Sequence, residues 1–187
     1  MKGCFYMNLE VRIVNKKDKD FKEIKKIYKQ SFLKEERIIM PYLFYLCKKE
    51  NASFWAYYID NNLCGMSYIL TDNDFAFIFY LAIKEEYQNQ GIGSKIIDSI
   101  KKVFNNKTIT INCLINENEL FLKRKRFYKK NGFIDTNYIL SDKNNKYNVY
   151  ANNRVLAFGK YKDFLKKLSL GVYNLDLTKK TSLESKE

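Results

Sequence analysis

The stretch Phe77–Gly93, FIFYLAIKEEYQNQGIG, decides how this chain is read. Its first seven residues, Phe77 to Ile83, are aromatic or apolar and have the length of a buried strand. A polar segment follows, then two glycines one residue apart, then SKIIDSIKKVF with its isoleucines at helical spacing. The order is strand, loop, helix. Gly91 and Gly93 carry no Cβ, so peptide N–H groups there can approach a charged ligand closely. The helix that begins beside them adds N–H groups with no intrahelical acceptor and the positive end of its dipole. Successive N–H groups of this kind form an anion-binding concavity. The segment reads as a cradle for a ligand that carries phosphate.

Two glycine motifs are excluded by spacing. A dinucleotide fingerprint needs a third glycine, and Ile96 stands in its place; the loop from Lys84 to Gln90 is also long for that turn. A P-loop needs G-x-x-x-x-G-K-[ST], which Gly93-Ser94-Lys95 does not complete. The remaining pattern is Q/R-x-x-G-x-G/A, met by Gln88, Gly91 and Gly93. With the string YLAIKEEYQNQGIGSKII around it, it resembles motif A of the GNAT family of N-acetyltransferases, bacterial type. That resemblance implies that Gln88, Asn89, Gln90, Gly91, Ile92, Gly93 and Ser94 cradle the pyrophosphate of coenzyme A. It also implies that backbone groups of Leu81, Ala82 and Ile83 pair with the pantetheine arm. An N–H in that region would polarise the thioester carbonyl, as in an oxyanion hole.

A second block, RKRFYKKNGF (Arg124–Phe133), resembles the family's motif B. The resemblance implies that Tyr128 protonates the departing thiolate of coenzyme A. A thiol with a pKa of about 8.5 leaves better beside a donor, and a phenol with a pKa of about 10 stays protonated at neutral pH. An aromatic packing role for Tyr128 is the other reading, in a chain with 15 tyrosines. Arg124, one helical turn earlier, meets a phosphate or an acidic substrate group, or is a solvated charge, the preferred reading. Asn118 is a helix cap or a pantetheine contact. ERIIMP (Glu36–Pro41), after Ser31-Phe32, is similar to the segment that lies over the acceptor site in related bacterial enzymes.

One family feature is missing. Many relatives carry a glutamate on the strand before the phosphate loop as general base, but Phe75–Leu81 holds no carboxylate. Asp72 and Asp74 precede it, Glu85 and Glu86 follow it, and Glu35 or Glu36 would have to act through water. No base is assigned.

Composition bounds the rest. The 187 residues suit one domain. No histidine is present, which removes Ser-His-Asp and Cys-His schemes and His-based metal sites. Cys4, Cys47, Cys64 and Cys113 lack C-x-x-C spacing and read as small hydrophobes in a reducing compartment, with no metal. The N-terminus has no signal-peptide core and no stretch reaches transmembrane length, so the expectation is a cytoplasmic protein without membrane contact. The net charge of +13 attracts anions. The lysines are spread among Glu and Asp and form no compact basic arm, so a solvated surface is preferred over a nucleic-acid footprint.

Patterning predicts a strand over residues 9–14, a helix from about 20 to 32 capped by Asp18 or Asp20, and a second helix over residues 34–49. A hairpin turns at Asp60-Asn61-Asn62, and a strand spans 75–83. Helix 91–104, strand 107–115 and helix 119–131 with a stop at Gly132 come next. Strands 133–140 and 147–158 and a short helix 161–168 complete the chain. The expected fold is α/β with a mixed, mostly antiparallel twisted sheet, a β-α-β crossover and helices on both faces, as the GNAT resemblance also implies. Residues 1–176 are expected to form a single domain, with a polar, frayed tail over 177–187. The implied activity is transfer of an acetyl group from acetyl-CoA to an amine of a small molecule or peptide by direct attack, in a monomer or homodimer. The alternative is a coenzyme A-binding module on the same fold without catalysis.

Overall fold

The computed structural model describes residues 8–49, 52–115, 119–142, 144–152, 155–169 and 175–180. Its contacts gather into two compact units. One holds the chain up to Ile69 together with Phe79–Val103; the other holds Leu70–Ile78 and the chain from Phe104 onward.

In the first unit, β1 (Leu9–Ile13) pairs antiparallel with β2 (Ala52–Ile59), in register from Leu9↔Ile59 to Ile13↔Trp55. Strand β3 (Asn62–Thr71) lies beside β2 and is followed in the order by β4 (Phe75–Ile83). The β2–β3 turn is Asp60-Asn61, both left-handed at φ 48° and 62°, as a two-residue hairpin of matching twist requires. Helix α1 (Phe21–Ser31) buries Ile24, Ile27 and Tyr28, one face at helical spacing. Asp20 holds its N-cap position without a side-chain capping bond; its carboxylate accepts from the Tyr58 hydroxyl instead.

The second helix begins later than the sequence pattern predicts. Lys34–Glu36 form only a 3-10 turn, Arg37 to Ile39 run on without helix, and α2 occupies Met40–Lys48. Pro41 explains the break. It has no N–H to donate and its ring would clash with the carbonyl of Arg37, so it is accepted only in a helix's first turn, where it stands. Helix α3 (Ile92–Val103) buries Ile92, Ile96, Ile97 and Ile100.

In the second unit, Phe75–Ile78 of β4 pair parallel with β5 (Thr108–Leu114), from Phe75↔Thr108 to Ile78↔Ile111. Strand β7 (Lys146–Ala151) pairs antiparallel with β5 and with β6 (Ile134–Ser141). The β6–β7 register shifts between Asp135 and Ile139, where Asn137 is left-handed. Helix α4 spans Glu119–Lys130 and α5 spans Phe158–Ser169. The sheet is mixed and mostly antiparallel. No described helix is long and apolar enough to cross a membrane.

Two late assignments change. The strand expected over residues 147–158 ends at Ala151, and Phe158 opens α5. Tyr161, Phe164 and Leu165 are buried at i, i+3 and i+4 and continue the spacing from Phe158, a helical period rather than an alternating one. Tyr161 donates to Thr110 Oγ1 at 3.0 Å, and Phe75 packs 5.2 Å from the Tyr161 ring. Frayed chain was expected beyond Asp176, yet Asp176–Lys179 form β8, antiparallel to β6. Leu177 is buried, and Lys180 pairs with Asp135 at 2.7 Å, which ties the strand down.

Candidate active site

The site residues read from motif A lie together in the first unit. Leu81, Ala82 and Ile83 end β4, a 3-10 turn covers Glu85–Tyr87, and Gln88–Gly91 lead into α3. Two side-chain amides close this loop on itself. Gln88 Nε2 donates to the Ile83 carbonyl at 2.9 Å, and Gln90 Nε2 donates to the Glu86 carbonyl at 2.6 Å. Lys84 bridges Glu86 at 3.1 Å and Glu23 at 3.4 Å, and the hydrogen bond with Glu86 raises its pKa.

The backbone of the loop is shaped by two left-handed residues, Asn89 at φ 60° and Gly91 at φ 79°. Asparagine and glycine are the residues that reach this region at least cost. A left-handed Gly91 followed by helical Ile92 turns consecutive N–H groups to one side, the geometry of an anion nest. Ser94 and Lys95 N–H both donate to the Gly91 carbonyl, so the first helical bonds begin beyond Ile92 and Gly93. Those two N–H groups come before the first intrahelical donor and have no acceptor within the helix. Ile92 is buried and anchors the helix start, while Gln88, Asn89, Gln90 and Gly91 are exposed. A Cβ placed on Gly91 would meet nothing within 4 Å, so the cradle is open.

One contributor escapes the motif reading. Gly65, in the middle of β3, sits where an added Cβ would lie 2.7 Å from the Ala82 carbonyl oxygen. Its missing side chain lets β3 approach the strand that carries Leu81–Ile83. The sequence signal was available: a glycine inside an aromatic, branched strand marks close backbone approach.

Tyr128 belongs to the second unit, on α4. Its place is fixed by the helix end. Phe133 N–H donates to the Tyr128 carbonyl at 3.1 Å and Gly132 N–H to the Lys129 carbonyl at 3.0 Å, with Gly132 at φ 74°. These are the two bonds of a Schellman stop, and the Phe133 ring packs edge-on against Tyr128, 6.4 Å between centroids. The Tyr150 ring lies 6.1 Å away, and Tyr128 is 8% exposed. The Tyr150 hydroxyl is buried with no hydrogen-bond partner, and desolvation raises its pKa. Arg124 is half-buried with its guanidinium 5.4 Å from the centre of the Phe121 ring, so it is not merely solvated. Asn118 lies outside the described residues.

Several carboxylates considered for proton removal are occupied by local structure. Glu36 accepts from Leu33 N–H, Asp72 accepts from the N–H groups of Asp74 and Phe75, and Asp74 pairs with Lys160. Glu35 and Glu85 are exposed. Burial pushes the thiols of Cys64 and Cys113 up to about 11, and that of Cys47 upward as well. Among the described residues no group of three metal-ligating side chains gathers.

Comparison with known proteins bears on the fold and the domain. Residues 50–135 match a family model described as an acetyltransferase (GNAT) domain, a span that includes both the loop and Tyr128. No curated protein matches the chain. Among solved structures, a Bacteroides thetaiotaomicron protein assigned to the GNAT family is 15% identical, with a TM-score of 0.71 over 89% of this chain and 99% of that one. Ard1 from Thermoplasma volcanium is 20% identical, with a TM-score of 0.60 over 78% of this chain and 99% of that one. A GNAT acetyltransferase from Elizabethkingia anophelis, with acetyl-CoA bound, is 14% identical, with a TM-score of 0.55 over 78% and 97%. At these identities the likeness is one of fold: the chain has the fold of these GNAT acetyltransferases, and its residues 50–135 match the GNAT domain model.

Proposed function

We propose that the chain is an acetyl-CoA-dependent N-acetyltransferase acting on a primary amine by direct attack. The observation that carries this reading is the loop before α3. Left-handed Asn89 and Gly91 hold the chain so that backbone N–H groups face an open, exposed space at a helix N-terminus. Such a concavity suits the pyrophosphate of coenzyme A. The backbone of Leu81–Ile83 then receives the pantetheine arm.

The amine nitrogen attacks the thioester carbonyl carbon, and negative charge grows on the carbonyl oxygen, where a β4 N–H stabilises it. The C–S bond breaks, and Tyr128 gives its phenolic proton to the departing thiolate. The proton lost by the amine passes to water and restores the phenol. A covalent acyl-enzyme has little support: Cys64 and Cys113 are buried thiols held neutral by desolvation, and the chain has no histidine to activate a hydroxyl. No cation is needed to hold the cofactor if backbone N–H groups carry its phosphates. The free thiols at Cys47, Cys64 and Cys113 accord with a cytoplasmic setting.

Titration calorimetry with acetyl-CoA tests the binding half. Saturable heat at sub-millimolar ligand is the expected result, and no heat in that range sinks the reading. Thiol release from acetyl-CoA across a panel of primary amines tests the chemistry. A second reading, a coenzyme A-binding module without turnover, is favoured by the carboxylate-free strand Phe75–Leu81. Tight cofactor binding with no amine-dependent thiol release would select it.

A further inference from the structure

Tyr80 breaks the apolar run of β4, one residue before Leu81–Ile83, and it is 3% exposed. Its hydroxyl donates to the Glu36 carbonyl at 2.6 Å and accepts from Ile38 N–H at 3.1 Å. A second phenol, Tyr28 on α1, donates to the Ile38 carbonyl at 3.0 Å. The two rings meet edge-on with centroids 4.9 Å apart, and Phe32 packs 4.6 Å from Tyr80. Glu36 ends the 3-10 turn, and Arg37 and Ile38 follow it before α2; the Glu36 and Arg37 N–H groups bond back to Leu33 and Lys34, while the Glu36 carbonyl and the Ile38 backbone lie outside any α-helix or strand. Buried peptide groups must still find partners. Three of them find these two tyrosines. A phenylalanine at either position would fill the same space and leave peptide groups unpaired, so the hydroxyls are there for the segment and not for the core.

Strand alternation decides which side the clamp serves. Successive side chains of β4 point to opposite faces. Ile83 leans toward α3: its Cδ1 and that of Ile96 each lie 3.3 Å from where Gly65 would carry a Cβ. Tyr80 points the other way, to α1 and Glu36–Ile38. A cofactor whose phosphates sit at the start of α3 occupies the α3 side, so a second substrate must reach the thioester from the Tyr80 side. We propose that Tyr80 is a positioning residue. Its hydroxyl pins Glu36–Ile38 to the cofactor strand and so fixes the wall against which the acceptor amine is oriented. Tyr28 braces the same wall from behind. The proposal rests on the acetyltransferase reading above, because only that reading requires a second substrate.

The test is Tyr80→Phe, read in three ways, with Tyr28→Phe as the milder companion because it removes one bond instead of two. Amide hydrogen exchange over residues 36–38 should speed up in Tyr80→Phe by about tenfold or more, and by less in Tyr28→Phe. Calorimetry with acetyl-CoA should show an affinity within about twofold of wild type, since the cofactor's own contacts are intact. With the amine that gives the fastest wild-type thiol release, KM should rise on the order of tenfold while kcat falls less. Should Tyr80→Phe fail to fold, Tyr28→Phe must show the same pattern at smaller amplitude. Unchanged exchange at residues 36–38, or an unchanged KM in an active variant, overturns the role given to Tyr80. Equal losses of acetyl-CoA affinity and KM would also overturn it, because that pattern belongs to a disrupted core. A wild-type chain that binds acetyl-CoA but acetylates no amine overturns the reading beneath it, and the role for Tyr80 falls with it.

Discussion

Two turns in this protein use the same backbone device for opposite ends. Gly91 precedes α3 and Gly132 follows α4, and both are left-handed, at φ 79° and 74°. Around Gly132 the chain closes on itself: Phe133 and Gly132 N–H groups take the carbonyls of Tyr128 and Lys129, and Phe133 is buried. Around Gly91 the chain stays open, with no atom near the position of a Cβ and the neighbouring residues exposed. The first turn spends its geometry on finishing a helix and fixing Tyr128. The second leaves backbone donors facing outward at a helix start, where a dipole favours negative charge. A left-handed glycine therefore says that the backbone is being bent. Only the fate of the surrounding N–H groups says whether the bend serves structure or a ligand.

The largest effect should come from what the closed turn holds. Tyr128→Phe removes one hydroxyl and keeps the ring that packs on Phe133 and Tyr150. If that hydroxyl is the acid, turnover should drop roughly a hundredfold, the lower range for general acid catalysis. Acetyl-CoA affinity and the melting temperature should barely move. Steady-state thiol release at saturating acetyl-CoA, beside a thermal melt, separates the outcomes. A normal rate would leave Tyr128 as a packing residue and reduce the closed turn to architecture.

Gly91→Ala should act next in size, and on binding. The space is free, so the cost is conformational, roughly 1–2 kcal/mol for an L-residue held left-handed. An exposed loop with no close neighbour can relax out of that conformation when empty. The strain then appears when acetyl-CoA demands the conformation back, as a Kd raised about five- to thirtyfold. The melting temperature of the free protein should change little. Paired calorimetry and melting curves check both halves; unaltered affinity would mean that the cofactor does not need Gly91 left-handed.

What could be read from the sequence follows from how local each signal is. The strand–loop–helix at residues 75–103 was legible because its apolar run, glycines and isoleucine spacing are all short-range. The Gly132 stop and the Asp60-Asn61 turn were legible for the same reason. The second helix was drawn too long because helical composition over residues 34–49 outweighed the one residue, Pro41, that decides its start. Strand β8 was missed because Asp176–Lys179 is mostly polar, with Leu177 its one buried residue and β6 its partner far away in sequence. The Tyr80 clamp was illegible for a deeper reason, and Gly65 signalled a close approach without saying to which strand. Each joins residues about forty or about twenty apart through the sheet, and neither tyrosines nor glycines announce their partners.

Gly132→Ala is the complementary change, and its effect should be the smallest and fall elsewhere. The intrinsic strain is again roughly 1–2 kcal/mol. Here the turn cannot relax without giving up two backbone bonds and the Phe133–Tyr128 packing, so the strain stays in the folded state. For a chain of this size the melting temperature should fall by about 2–8 °C. The acetyl-CoA affinity of the folded fraction should match wild type. One methyl group, added at two residues with nearly the same φ, should thus appear as lost affinity in one turn and lost stability in the other. If both variants lowered the melting temperature alike and left affinity alone, the loop before α3 would be a helix start and nothing more.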